Sequence, residues 1–257
     1  MRAVASFFLI LLCLAVNTAC KPKQQTITIE PIPDAVILCL HDIGREGRYA
    51  ISEKDFGLLL GELAAYRVVS LHDWLKRRYP EDQRRRIVLT FDDGYRAHRE
   101  IVLPELRRRG MGATFFSYAD QLKADAGWRR LLPALEDTFS FGSHSWSHAL
   151  LRDIGYDQLF RELFLARQYM QTLSVKPVDA FAWPYGYYES EGIRAAAAAG
   201  FTVQLSVDYR IATAADAALV LPRYTIFGRR SVEQLKEILK RFEAKKPEKP
   251  DRVPRQQ

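Results

Sequence analysis

The chain has 257 residues, 48% of them hydrophobic and 27% charged, with 38 Lys and Arg against 31 Asp and Glu for a formal net charge of +7. That length and apolar content sustain one sizeable core and argue for one α/β domain rather than two. No internal repeat, glycine-rich phosphate loop or transmembrane span is present, which excludes repeat arrays, phosphate-loop enzymes and polytopic membrane proteins.

Met1-Arg2 followed by the apolar residues 3–16 reads as the basic and hydrophobic regions of an export signal over residues 1–19. The apolar run is shorter than the ~20 residues a spanning helix needs. The leader ends Leu14-Ala15-Val16-Asn17-Thr18-Ala19-Cys20-Lys21, which looks like a bacterial lipoprotein cleavage site with Cys20 as the lipidated residue. Asn17 stands where an aliphatic residue is usual, so ordinary cleavage after a small residue stays open. Lys21 resembles a sorting signal for the outer membrane, which places the protein in the envelope, facing the periplasm or the surface. With Cys13 in the leader and Cys20 carrying lipid, Cys39 is left alone in the folded domain, so no disulfide framework is available and Cys39 reads as a small buried residue.

Loss of Arg2 with the leader leaves a charge of +6. An exported basic protein meets anionic membrane or wall polymers, and no nucleic-acid partner is expected. Residues 20–33 form a polar linker, 34–243 a folded domain expected to act as a monomer, and 244–257 a basic, Pro-rich tail that reads as disordered.

Within the domain the first strand is Ala35 to Leu40, ending at His41-Asp42. Ser52-Glu53-Lys54-Asp55 opens a helix with a capping pattern, carried on by Phe56, Leu59, Leu60 and Leu63 on one face. A short strand at Arg67–Ser70 and a helix from Leu71 to Tyr79 follow. Arg86-Ile87-Val88-Leu89-Thr90-Phe91-Asp92-Asp93-Gly94 is an apolar strand that delivers two adjacent carboxylates to its own tip. A helix from about Tyr95 to Arg109, with Pro104 as a kink or boundary, leads to a strand at Ala113–Tyr118. Next come a helix near Trp128–Leu135, a strand at Phe139–Ser143, a long amphipathic helix from Tyr156 to Thr172 and a strand at Asp179–Trp183. Glu189–Ala199 is a helix closed by Gly200, Phe201–Val207 and Leu219–Ile226 are strands, and Ser231–Lys240 is the last helix. This alternation gives parallel βα units, best built as a distorted (β/α) barrel of seven or eight strands.

Chemistry in such folds sits at the carboxyl ends of the strands. Alone, Asp92-Asp93-Gly94 reads as a turn, because Asp and Gly favour turns for conformational reasons. Likewise, His144 and His148 alone read as two polar surface residues. Two imidazoles four residues apart beyond a strand can also converge on one ion, and with one Asp they make the open three-ligand site of a catalytic zinc.

The runs Thr90-Phe91-Asp92-Asp93-Gly94, His144-Ser145-Trp146-Ser147-His148 and Ala182-Trp183-Pro184-Tyr185-Gly186 resemble, in order, the TFDDG, HSxxH and RxPY motifs of the polysaccharide deacetylase family, with NodB homology and membership of carbohydrate esterase family 4. The resemblance covers about Ala35 to Phe242. It implies that Asp93, His144 and His148 bind a divalent metal, zinc as a rule with Co²⁺ or Ni²⁺ as alternatives, and that Asp92 is the general base. It also implies that the backbone N–H of Tyr185 faces the oxyanion, and that the substrate is an N-acetylated, N-acetylglucosamine-containing polysaccharide.

The family's late LxH histidine, the general acid, is missing from the carboxyl-terminal strands. Cys39-Leu40-His41 resembles it at the front of the chain, as in the circularly permuted deacetylases of poly-β-1,6-N-acetylglucosamine, and His41 is assigned the acid. Ala182 stands where the family's motif Arg tethers the catalytic Asp, and Arg223 on a late strand is the candidate to reach Asp92 from another side. Trp183 is a candidate substrate contact, as are Trp146, Tyr187 and Tyr188, although core packing suits at least half of these aromatics. His72 and His98 read as structural or solvated. Action on peptidoglycan or on O-acetyl esters, or a glycan-binding lipoprotein without catalysis, stand as alternative functions.

Overall fold

The computed structural model describes residues 32–80, 82–218 and 220–245. The expected leader, Cys20, most of the linker and the tail from residue 246 onward lie outside the described residues.

The strands are β1 (Ala35–Leu40), β2 (Asp42–Ile43), β3 (Ala50–Ile51), β4 (Arg67–Val69), β5 (Arg86–Phe91), β6 (Ala113–Ser117), β7 (Phe139–Ser143), β8 (Ala180–Ala182), β9 (Val203–Leu205) and β10 (Tyr224–Thr225). Seven of them form one curled parallel sheet in the order β10-β1-β5-β6-β7-β8-β9, while β4 pairs with β5 beside that path. A parallel bridge from Leu205 to Leu221 links β9 to the chain entering β10. The sheet therefore curls into a distorted barrel, seven strands on its path with β4 beside it, in line with the seven or eight expected from the sequence. The connecting helices are α1 (Glu53–Glu62), α2 (Leu71–Leu75), α3 (Leu103–Arg109), α4 (Ala119–Ala124), α5 (Ala126–Leu131), α6 (Tyr156–Leu173), α7 (Ser190–Ala198) and α8 (Ser231–Ala244). Among the described residues, no helix is long and apolar enough to cross a membrane.

Strand side chains alternate between two buried environments, which is why the strands read as unbroken apolar runs. Val36, Leu38, Leu40, Ile87, Leu89 and Phe91 pack outward against the helices. Ala35, Ile37, Val88, Phe116, Ala180, Ala182 and Leu221 fill the interior of the curl. Continued by two residues each, Ile37, Val88 and Leu221 reach Cys39, Thr90 and Arg223, and two residues beyond Thr90 comes Asp92, so strand parity turns these side chains inward at the carboxyl ends.

Local chemistry explains where elements differ from expectation. The helix expected from Leu71 to Tyr79 stops as α2 at Leu75, with Arg77 at a left-handed φ of 51°. The helix ending at Arg109 contains a π-helical segment, His98–Val102, just before α3. Pro104 supplies no N–H to the turn before it, and a widened turn absorbs that loss. Of the strand expected over Leu219–Ile226, the described residues form a ladder at Tyr224–Thr225 and a single bridge at Leu221, and Pro222 between them cannot donate to the sheet. Helix α4 was not expected.

His98, on the π segment, is fully buried, and its Nε2–H donates to the carbonyl of His41 at 2.8 Å. Burial pushes its pKa down to about 4, against the pull of that carbonyl, from the ordinary 6.5. A base held neutral in the fold contributes stability that is complete above its unfolded pKa and is lost as pH falls towards the folded one. Denaturation measured between pH 6.5 and pH 4 is expected to lose up to about 1.4 kcal/mol per pH unit through this group. The His98→Gln variant lacks that share of the slope; identical slopes in the two proteins would contradict a buried neutral imidazole.

Candidate active site

The two carboxylates end β5 because the chain turns sharply behind them. Asp93 and Gly94 take left-handed φ values of 72° and 68°. A Cβ on Gly94 would lie 2.1 Å from Ser117 Oγ, so only glycine fits there. The Gly94 carbonyl is held by Trp128 Nε1–H at 3.0 Å. This geometry sends Asp92 into the barrel and Asp93 across its mouth.

His144 follows β7 directly, and its own N–H donates to the Ser117 carbonyl at 2.8 Å. Nδ1–H of His144 donates to the Ala182 carbonyl at 2.7 Å, which fixes the tautomer and leaves the Nε2 lone pair facing the carboxylates. The distance from Asp93 Oδ1 to Nε2 of His144 is 3.5 Å, and to Nε2 of His148 it is 3.1 Å. Ser145 and His148 both have positive φ, 74° and 62°, and Ser145 Oγ accepts the His148 N–H at 3.0 Å. Glu162 of α6 clamps this loop: its carboxylate accepts the N–H groups of Trp146 and Ser147 at 3.1 and 3.0 Å and the Ser147 hydroxyl at 2.9 Å. The first amides of α4 donate to the carbonyls of Ser145 and Trp146. Nothing in the sequence marks Glu162 among the charged residues of its helix, nor announces α4.

A divalent cation suits this donor set. One oxygen or nitrogen from each of Asp93, His144 and His148 lies within 4.8 Å of the others. Asp93 Oδ1 is buried without a satisfied hydrogen bond, although both imidazoles face it. Lone pairs converging on one point repel unless a positive charge sits among them, and Asp, His and His are the donors of an open zinc-type site. Burial opposes charge on Asp93, but the two imidazoles outweigh it and hold this carboxyl well below the usual range. For His144, burial disfavours the imidazolium, yet Asp92 and Asp93 raise the pKa above its ordinary value.

Asp92 is buried, and both its oxygens meet the fork of Arg223, Nη1 to Oδ1 and Nη2 to Oδ2, each at 2.8 Å. Arg223 itself is 0% exposed, donating also to Thr90 Oγ1 at 3.0 Å and from Nε to the Ser206 carbonyl at 2.9 Å. Ala182 faces the same interior with a small side chain, and the guanidinium that meets Asp92 comes instead from Arg223, on the chain entering β10. Burial raises the Asp92 pKa, but Arg223 and then His144 more than reverse this and bring it to about 2. Cys39 Sγ–H adds a third contact to Oδ2 at 3.3 Å, and burial keeps this thiol protonated by raising its pKa well above the ordinary value. The sequence read Cys39 only as a small buried residue; the signal was its position two residues before His41, on the same face of β1.

His41 at the tip of β1 has a ring nitrogen within 4.8 Å of ligand atoms of both Asp92 and Cys39, and its Nδ1 is buried without a hydrogen-bond partner. Burial lowers its pKa, opposed by Asp92 and Asp93. Tyr185 is 59% exposed at a φ of 59°, with its ring edge-on to His148 at 4.9 Å. Trp183 is a correction: it is 1% exposed, packs edge-on against Phe181, and spends its N–H on Gln204 Oε1 at 3.1 Å, so it belongs to the core and does not face substrate. Arg223 is likewise shut away from substrate and acts on Asp92. His72 lies apart, paired with Asp179 at 2.5 Å.

The polysaccharide deacetylase family model matches residues 80–204 of this chain. YxkH of Bacillus subtilis (strain 168), named as a polysaccharide deacetylase, is 23% identical over 124 residues, 48% of this chain and 44% of that protein, so the chain aligns with less than half of that relative's length. The fold is similar to Streptococcus pyogenes deacetylase PplD in complex with acetate, with a TM-score of 0.70 and 20% identity over 81% of this chain and 98% of that one. It is also similar to IcaB from Ammonifex degensii, with a TM-score of 0.69 and 19% identity over 79% and 96% of the two chains. For the deacetylase domain of BpsB from Bordetella bronchiseptica the TM-score is 0.63, at 16% identity over 76% and 97%.

Removing one member of a buried ion pair strands the other. Arg223→Met is expected to cost about 3–5 kcal/mol in urea denaturation, measured alongside Asp92→Asn alone. The double variant Asp92→Asn/Arg223→Met recovers part of that loss, giving a coupling energy of at least about 1 kcal/mol. Strictly additive effects would mean that the two side chains do not stabilise one another.

Proposed function

We propose that this chain, which matches the polysaccharide deacetylase family model over residues 80–204, is a member of that family and a metal-dependent hydrolase that removes N-acetyl groups from an N-acetylglucosamine-containing polysaccharide of the envelope. The observation that carries this reading is the cluster of Asp93, His144 and His148 with the ionised Asp92 beside it, His144 Nε2 lying 4.0 Å from Asp92 Oδ2. A divalent ion held by Asp93, His144 and His148 supplies Lewis-acid polarisation of the acyl oxygen and lowers the pKa of water there.

The remaining steps fall to this chain's own side chains. Asp92, kept ionised by Arg223, accepts a proton from the water whose oxygen attacks the acyl carbon. The backbone N–H of Tyr185 donates to the oxyanion that forms, a contribution of several kcal/mol for a well-aimed donor. The C–N bond then breaks, with its electron pair going to nitrogen. His41 hands that nitrogen a proton, and the products are acetate and a free amine. The burial that lowers the His41 pKa makes its imidazolium a ready donor. The acetate bound in the PplD structure is the product this chemistry would leave.

Incubation with a panel of N-acetylglucosamine polymers is expected to release free amines, to stop on chelation and to resume on adding Zn²⁺. His41→Ala is expected to lose ~10²–10⁴-fold on amide substrates while retaining most hydrolysis of an activated phenyl acetate, whose leaving group departs without a proton. Asp92→Asn loses both activities, because both require the nucleophile. Equal losses on the two substrates for His41→Ala, with metal content intact, would remove His41 from the acid role.

We also propose that Cys20 carries lipid and anchors the enzyme in the outer membrane, since acyl chains contribute roughly 0.8 kcal/mol per buried methylene, more than a basic surface does. Cys20→Ser is expected to move the protein from the membrane fraction to the soluble one. A wild-type protein recovered soluble and without lipid would reject the anchor.

A further inference from the structure

A cleft of about 710 Å³ opens beside the candidate active site, within the range of roughly 300–1,000 Å³ seen for ligand pockets. Arg48, Arg229 and Arg230 line it, together with the rings of Tyr209 and Phe227 and the amide of Gln234. The acidic residue on its wall is Glu237, 61% exposed and 3.7 Å from Arg230, a loose surface pair that leaves the cleft with net positive charge.

The walls are firmly built. Gly228 N–H donates to the Arg48 carbonyl at 3.0 Å, and a Cβ on Gly228 would lie 2.1 Å from the carbonyl oxygens of both Gly47 and Ala50, so the two sides are locked backbone to backbone. Gln234 accepts the Phe227 N–H at 2.9 Å and donates to the Thr225 carbonyl and the Tyr209 hydroxyl at 2.8 and 3.1 Å. Side-chain and backbone contacts join the walls of the cleft to the catalytic end of the barrel. The His41 ring contacts Tyr49 at 5.1 Å, and Tyr49 contacts Phe227 at 5.5 Å. On the other side the Tyr209 N–H donates to the carbonyl of Arg223, the residue that grips Asp92.

Half-exposed aromatic rings suit the faces of sugars, and guanidinium forks suit carboxylate or phosphate oxygens. A neutral homopolymer of N-acetylglucosamine offers three arginines hydroxyl and amide-carbonyl acceptors but no charge to pair with, whereas an anionic glycan supplies the charge-assisted, bidentate partners that guanidinium groups favour. Resting on the deacetylase reading, we propose that this cleft holds the chain of an anionic glycan, so that the preferred substrate is an N-acetylated polymer whose sugars next to the reacting residue carry carboxylate or phosphate.

The test uses the full chain loaded with Zn²⁺. Amine release and equilibrium binding are measured on neutral N-acetylglucosamine oligomers, on an alternating N-acetylglucosamine–glucuronate polymer and on an N-acetylglucosamine 1-phosphate polymer. We expect kcat/KM at least tenfold higher on one of the two anionic polymers than on the neutral oligomers, carried by KM and shrinking as NaCl rises, since exposed charges are screened. Which polymer wins separates carboxylate from phosphate. In Arg48→Ala/Arg229→Ala/Arg230→Ala that preference collapses towards one, and in the triple Arg→Lys variant, which keeps the charge, much of it returns. Thermal melting and metal content show whether each variant is folded.

Amine release that is equal on neutral and anionic polymers and insensitive to these substitutions would overturn the inference and leave the deacetylase reading standing. Arginine-dependent binding of an anionic polymer with no amine release from any substrate would support the cleft and overturn the deacetylase reading. Arginine-dependent binding to phosphatidylglycerol vesicles, with neither anionic polymer bound, would overturn the glycan assignment in favour of a membrane surface.

Discussion

The bidentate pair between Asp92 and Arg223 is the constraint on which the rest of the site depends. Two charges taken wholly out of water are expensive, and such a pair persists only where its geometry is good and its remaining hydrogen-bonding groups are satisfied. Here each guanidinium nitrogen has a partner: Nε takes the Ser206 carbonyl, Nη1 takes Thr90 and Asp92 Oδ1, and Nη2 takes Asp92 Oδ2. Those partners come from β5 and from the segment that follows β9. The pair therefore ties the last part of the chain across the interior to the strand that carries the carboxylates. The same contact that closes the curl also keeps the proposed base ionised.

Around that fixed point several residues of the site, two of the three candidate ligands among them, occupy backbone conformations that side-chain-bearing residues seldom adopt. Asp93, Ser145, His148 and Tyr185 all have φ between 59° and 74°. Such conformations cost about 1–3 kcal/mol each and persist only where surrounding structure over-determines them. The sources of that determination are identifiable. Trp128 and Ser117 crowd the turn at Gly94, while Glu162 and the first amides of α4 hold the loop from His144 to His148. The left-handed turns bring three donors from two strand tips to one point.

The barrel is graded along its strands. Its amino-terminal half is filled by Ala35, Ile37, Val88 and their neighbours, and its carboxyl-terminal end by Cys39, Thr90, Asp92 and Arg223. One fold thus supplies a rigid apolar base and, a few residues further along the same strands, a dry polar site whose charges act at low dielectric. Beyond the tips, the segments after β2 and β10 build the basic cleft with Tyr209 and the first turns of α8, so part of the charge excess visible in the composition is organised there.

The sequence by itself determined the parallel βα order, the strands at Ala35–Leu40 and Arg86–Phe91, and the side-chain types that meet at their tips. It could do so because strand runs, caps such as Ser52 and the Asp-Asp-Gly and His-x-x-x-His spacings are local, and local pattern follows from backbone geometry. It also named Arg223 as a candidate for Asp92, through the absence of an arginine at Ala182. What only the tertiary structure decided was which groups meet across long separations. Trp183 looks like a substrate platform in the sequence and is a core residue in the fold, because strand parity turns it outward under α7, where Gly192 leaves space for its ring. Glu162 and Cys39 became part of the site only when a helix and a strand were set against residues 15 and 53 positions away. No local pattern encodes such distances; they are fixed by sheet order and by the packing of a helix over a loop, which the folded chain alone specifies.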